Sequence, residues 1–358
     1  MHFDFTDDQR EIKRTARELL TARSGFERVR AVAEGDGAYD AALWDELVAL
    51  GWTGIALPEA SGGQGLGVLE LTILLEELGC AVTPSRFLSN AAAGLLIGAA
   101  GSGAQRDALL PGIASGQETA TLALARGGVA ELVPDADSAR WIVLVDEDGA
   151  TVHDARGGGV AIEPRATIDP TRRYARVTVR EDGGAAAGEP LAGPLRPGLD
   201  RAEIALAAEL TGIAQRALEL TVAYVKERRQ FGTPVGAFQA VSHRAAQMLL
   251  ETEGARSATY FAAWAADAEP ASLARGASLA KAAAADAGRH VTAAAIQLHG
   301  GIGFTWEADV HWLYKRAQLD AALLAPAAWH RARIARLAAE GAGAAGSAAA
   351  TPTPASAA

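Results

Sequence analysis

Cysteine is nearly absent: Cys80 is the single one in 358 residues. A lone thiol excludes a disulfide within the chain and any cluster built from several thiolates, and it suits a reducing compartment. Basic residues are in deficit. With 33 lysines and arginines against 43 aspartates and glutamates the formal charge is -10, so duplex nucleic acid finds no basic face to meet. No apolar run is long enough to propose as a membrane span, because the alanine-rich stretch at 91–100 is short and broken by glycine. The opening Met1-His2-Phe3-Asp4-Phe5-Thr6-Asp7-Asp8 is acidic and polar where a secretory leader is basic and then apolar. These absences point to a cytoplasmic protein. The glycine cluster at 57–67 lacks the Lys-Ser or Lys-Thr that a nucleotide's phosphates and magnesium require, so it is expected to be a plain loop.

What is present is a globular composition, 49% hydrophobic and 21% charged, long enough for two or three packed units. Thr6 and Gln9 form a capping box ahead of an Ile12, Ala16, Leu19, Leu20 stripe, which predicts a helix over about 7–22. The arginines and acids that follow are expected to be a solvated face. Asp40 caps a second helix carrying Leu43, Leu47 and Leu50, and further helices are predicted near 68–79, 84–100 and 104–115. From Glu118 the period changes to short β-type runs at 120–124, 141–145, 151–153 and 175–179, separated by glycine, aspartate and proline. Helical spacing returns over 200–228, 237–267, 271–298 and 308–323, with a last helix started by Pro326. The fold class is therefore mainly α with a small central β domain. The units expected are a helical domain at 1–117, a short β domain at 118–192, a helix bundle at 193–340 and a disordered alanine-rich tail at 341–358.

Two windows concentrate charge, aromaticity and helix punctuation. The first, Glu227-Arg228-Arg229-Gln230-Phe231-Gly232-Thr233-Pro234-Val235-Gly236-Ala237-Phe238-Gln239, is predicted to be a helix-loop-helix corner between two long amphipathic helices. A guanidinium there can take a phosphate bidentately, and an aromatic beside it can cover a flat ring. The plainer alternative makes Arg228 and Arg229 solvated helix-end residues, with Phe231 the plug of the turn. The second window, Gln297-Leu298-His299-Gly300-Gly301-Ile302-Gly303-Phe304, ends another long helix on glycines.

Taken together, the Arg-x-x-Phe-Gly corner, the Phe238-Gln239 pair and the Gln-x-x-Gly-Gly-x-Gly-Phe segment resemble the acyl-CoA dehydrogenase family. The resemblance implies FAD as cofactor, an acyl-CoA substrate, α,β-dehydrogenation to a 2,3-enoyl-CoA, tetrameric association and an electron-transfer flavoprotein as acceptor. It also implies that Arg228, Gln230, Phe231, Gln239, Gln297, Gly300 and Gly301 bind the adenosine and pyrophosphate side of a flavin shared with a neighbouring chain. No metal site is implied. His299, in a helix-ending turn, is expected to be structural.

The sequence departs from the family at the chemistry. The usual base, a glutamate after the Gly-Gly-x-Gly-Phe turn, falls at Leu324, and the alternative base position on the first bundle helix falls at Ala202, with Glu203 beside it. One residue is about 100° around a helix, so Glu203 is expected to point elsewhere. Asp320, one turn before Leu324, is the other weak candidate. Both acids have a simpler reading as surface or interface carboxylates. The family's Thr-Glu-Pro-x-x-Gly-Ser-Asp segment, which holds the flavin ring, is missing after Leu124, and Trp141-Ile142-Val143 is a weak echo of its second ring-holding segment. One half of a flavin site is thus degraded and the other intact. That pattern resembles the base-lacking subunit of heterotetrameric members known from steroid side-chain degradation. A self-sufficient homotetramer, a flavin-site relative with different chemistry on a CoA- or carrier-bound substrate, and a flavin-free scaffold subunit stay open at this point.

Overall fold

A computed structural model describes residues 4–35, 39–180 and 188–349, with side chains to residue 340. Six helices come first: α1 (Asp7–Arg23), α2 (Phe26–Glu34), α3 (Ala41–Ala49), α4 (Val68–Cys80), α5 (Phe87–Ala100) and α6 (Gly103–Ala114). The Thr6–Gln9 capping box closes on α1, and the Asp40 side chain caps α3. Helix α2 lies where a solvated charged face was expected. Its charges dominate the sequence, but Val29 and Val32 sit three apart and are both buried, enough to dock one turn of helix.

The central unit is two small sheets. Strands β1 (Ala120–Leu124), β3 (Trp141–Asp146), β4 (Gly149–Asp154) and β7 (Glu189–Pro190) form one in the order β1-β3-β4-β7. Strands β2 (Val129–Pro134), β6 (Tyr174–Val179) and β5 (Val160–Arg165) form the other in the order β2-β6-β5. β1 runs parallel to β3 with Ala120 opposite Trp141, and the other pairings are antiparallel. Ala123, Val133, Ile142, Leu144 and Val177 fill the space between the sheets, whereas Leu122, Val143 and Val145 face α5 and α6. β2, β5 and β7 were not foreseen, because prolines and glutamates interrupt their alternation.

The bundle consists of α7 (Arg196–Glu227), α8 (Gln239–Ala268), α9 (Pro270–His299), α10 (Val310–Ala322) and α11 (Ala327–Ala349). Helix α11 carries regular structure into the stretch expected to be a disordered tail, and the rest of that stretch, 350–358, lies outside the described residues. Helix α7 is central, with every residue from Ala202 to Ala214 buried. It crosses α4 at glycines: a Cβ on Gly212 would stand 1.9 Å from the Glu76 carbonyl oxygen, and one on Gly79 2.2 Å from that of Glu209. That close approach seats Glu209 deep in the molecule. There Arg172 and Arg316 bind it at 2.8 Å each, Arg316 also binds Asp169 at 2.6 Å, and Arg172 binds Asp320 at 2.8 Å. All five charges are buried, so the β5–β6 loop is fastened to α7 and α10 by ion pairs that exclude water.

Candidate functional site

The first window is not a simple helix-loop-helix corner. Helix α7 stops at Glu227, and a two-residue-turn hairpin intervenes, β8 (Arg229–Gln230) against β9 (Thr233–Pro234). Phe231 and Gly232 form its turn with φ of 51° and 78°, the left-handed pair that a tight hairpin demands. The hairpin throws Phe231 outward at 94% exposure, so it plugs nothing, contrary to the plainer alternative. Arg229 donates to the Gly232 carbonyl at 3.1 Å and braces the turn. Arg228 differs. Its guanidinium is exposed and, like the amides of Gln230, Gln239 and Gln297, has no side-chain partner among the described residues.

The second window lies at the same end of the bundle. Tyr224, one turn before Arg228, stacks on His299 with centroids 4.4 Å apart. His299 also bonds the Ala295 carbonyl through Nδ1 at 2.7 Å, and burial holds its pKa below the usual value, so it is a neutral donor locking two helix ends together. Gly300 then turns the chain at φ 66°, ψ -144°, and Gly300, Gly301 and Phe304 are exposed, Phe304 at 80%. The seven expected cofactor residues are therefore exposed on neighbouring segments: one cation, three amides, one ring and two glycine backbones facing outward. Such a set can hold a diphosphate and cover a flat ring.

A separate cavity of about 350 Å³ lies where α5, β1, β2, β6, α7 and the end of α10 converge. Its wall is apolar, with Leu88, Leu122, Leu206, Leu319 and Leu323 prominent, and Ser89 and Tyr174 are its polar side chains. Ala202 and Leu324, the two positions at which the resemblance leads one to expect a base, both lie in this wall, and no carboxylate does. Ser89 is committed, donating to Asp135. Trp141 is not in the wall: its indole donates to Glu118 at 2.9 Å.

The two candidate acids are elsewhere, and neither is on the surface as expected. Glu203 is buried among Arg196, Asp200, Lys281, His330 and Arg333, bonded to Arg196, with burial pushing its pKa up to about 7. Asp320 binds Arg172 and faces Glu209 and Arg316, and burial raises it to about 7 as well. Asp320 does not share a helix face with Leu324 as expected, because α10 ends at Ala322. Leu324 and Ala325 instead form a turn with φ of 52° and 81°. Lys281 holds it from below, donating to the carbonyls of Ala321 at 3.0 Å and Ala325 at 3.3 Å, and His330 Nε2 bonds that of Leu324 at 3.3 Å. Nothing in the sequence pattern announced this cluster, because Glu203, Lys281 and His330 come from three different helices.

A helical unit, a two-sheet unit and a long-helix bundle meeting around an apolar cavity make up the layout of the flavin-dependent acyl-CoA oxidoreductases. The chain belongs to the acyl-CoA dehydrogenase family: residues 6–117 match the family's N-terminal domain and residues 196–339 its C-terminal domain. Acyl-CoA dehydrogenase IpdE2 of Mycobacterium tuberculosis is 36% identical over 89% of this chain and 93% of its own length, and IpdE2 of Mycolicibacterium smegmatis 34% identical over 93% and 99%. A solved variant of the Tcur3481-Tcur3483 steroid ACAD superposes with a TM-score of 0.85 at 32% identity, covering 94% of this chain and 99% of that one. Members of the family are FAD-dependent and act on acyl-CoA thioesters. No helix among the described residues is long and apolar enough to cross a membrane, and no group of three or more His, Cys, Asp or Glu there could hold a metal ion.

Proposed function

We propose that this chain is the flavin-completing, base-lacking subunit of a heteromeric FAD-dependent acyl-CoA dehydrogenase that converts an acyl-CoA to its 2,3-enoyl-CoA. One observation carries the reading. Both positions from which the family delivers a base lie in the cavity wall and both are apolar, Leu324 and Ala202, while the outward-facing half of the flavin site keeps its full complement. In this division of labour Arg228 would pair with the flavin's diphosphate, Gln230, Gln239 and Gln297 would bond its polar edges, Phe231 would cover the adenine, and the Gly300-Gly301 backbone would admit it closely. When bound, FAD supplies the hydride acceptor. The partner chain supplies the carboxylate that removes the proton beside the thioester carbonyl, a task for which this cavity has no group.

The similarity to a steroid ACAD named as a pair of proteins supports both the heteromer and an acyl group derived from a steroid. An electron-transfer flavoprotein is the acceptor this reading expects. Arg228→Ala tests the half-site: the side chain is exposed and unpartnered, so the fold should be untouched while the purified complex loses FAD. Unchanged flavin occupancy would sink the assignment.

A further inference from the structure

Neither motif window nor the central cavity uses the start of α1. There α1, α4 and α8 border a second cavity, of about 540 Å³, within the range of small-molecule sites. Its wall carries four aromatic side chains, Phe5 ahead of α1 and Tyr260, Phe261 and Trp264 on α8. These rings are held in place. The Tyr260 hydroxyl donates to buried Glu76, Phe5 meets Tyr260 edge-on with centroids 5.2 Å apart, and Phe261 leans on Trp264 at 6.1 Å. Lys13 and Arg256 also line the cavity, but both are already paired, Lys13 with Glu77 at 2.8 Å and Glu76 at 3.3 Å, Arg256 with Glu76 at 3.2 Å.

Elsewhere the chain covers its surface tryptophans with its own cations. Arg140 stands over Trp141, Lys315 over Trp306 and Arg196 over Trp329, each within 5.5 Å of the ring centroid. Trp264 is the remaining tryptophan that is not buried, and among the described residues no cation stands over it or over Phe5, Tyr260 and Phe261. The surroundings favour positive charge. Trp264 lies one turn from the end of α8, whose terminal carbonyls carry negative partial charge and whose last turn has no basic residue. Asp4 stands at the rim, 81% exposed, and Asp7 and Asp8 follow it, three carboxylates against Arg10, which pairs with the first two. We propose that this cavity binds a small organic cation, an ammonium bearing methyl groups, with the four rings around it and Asp4 at its rim. A quaternary ammonium has no N–H to satisfy, so its methyl groups pack on the rings while the ring faces attract its charge. Because the rings are already fixed, binding orders little. A bare metal ion or a primary ammonium loses hydration that ring faces do not replace.

The test is an NMR titration of the full chain with choline and with 3,3-dimethylbutan-1-ol, which has the same shape without the charge. Choline should bind saturably, one per chain, and the neutral alcohol about tenfold more weakly or not at all. Trp264→Leu keeps an apolar side chain but removes the ring, so choline affinity should fall about tenfold while binding of the alcohol stays as it was. Phe261→Ala, at a position already 36% exposed, should fold as the wild type does and weaken choline in the same direction. Equal affinity for choline and the alcohol would mark a merely apolar cavity and overturn the proposal, as would no saturable binding of choline or unchanged choline affinity in both variants. The titration needs neither flavin nor a partner chain, so its outcome is independent of the reading of the half-site.

Discussion

Glu203 shows how one step along a helix changes a residue's work. Its neighbour Ala202 lines the cavity, and Glu203 itself is turned into the space between α7, α9 and α11. Its raised pKa means that the folded chain holds a proton there which the unfolded chain releases above about pH 4.5, so wild-type stability falls as pH rises from about 4.5 to about 7. Glu203→Gln mimics the protonated form at every pH. It should match the wild type near pH 4.5 and exceed it above pH 7, by up to the order of 3 kcal/mol, in paired thermal melts. Turnover of the complex should stay near wild type, whereas loss of a true base costs two orders of magnitude or more, roughly. The paired glycines separate folding from binding. Gly300 has φ 66° and ψ -144°, a region closed to alanine, so Gly300→Ala should cost about 1–3 kcal/mol of stability. A Cβ on Gly301 meets open space, so Gly301→Ala should melt like the wild type and differ only in FAD retention.

Among elements, the turn after α10 is a strained one. Leu324 and Ala325 both have positive φ, and the Lys281 and His330 hydrogen bonds hold them there. Ala325→Gly removes a left-handed alanine worth about 1–2 kcal/mol and loosens the unfolded chain by about 0.4–1 kcal/mol, so a net gain of about 0.5–1 kcal/mol should appear in chemical denaturation. A loss would mean that the turn depends on the alanine methyl. The long helices were legible in the sequence because their stripes are strong: Leu210, Ile213, Ala214, Ala217, Leu218 and Thr221 are all buried on α7 as the spacing requires. The hairpin between α7 and α8 was hidden because Gly232 and Pro234 signal only that a helix stops, not that four residues pair. Both motif windows were visible from residue types alone. Their meeting through Tyr224 and His299, and the burial of Glu203 and Asp320, depend on partners far away in the chain.

At the scale of the whole molecule, the β unit is held to the bundle by the buried Arg172–Arg316–Asp169–Glu209–Asp320 network. Arg316→Met leaves Asp169 and Glu209 short of a cation and should destabilise the chain by about 3–5 kcal/mol, measured by denaturant unfolding; a change under 1 kcal/mol would mean that the fastening lies elsewhere. That fastening borders a cavity whose wall, Ala202 and Leu324 included, is apolar, while the opposite end of the bundle presents an unpaired arginine and three unpaired amides to the outside. Under the proposed function a second chain completes this half-site. The most direct measurement is flavin content and native mass of this chain purified alone and after co-expression with an acyl-CoA dehydrogenase-like partner. One FAD per pair of unlike chains, bound only when the partner is present, is the expected result. A yellow tetramer of this chain alone, with one FAD per subunit and turnover on acyl-CoA, would contradict the account.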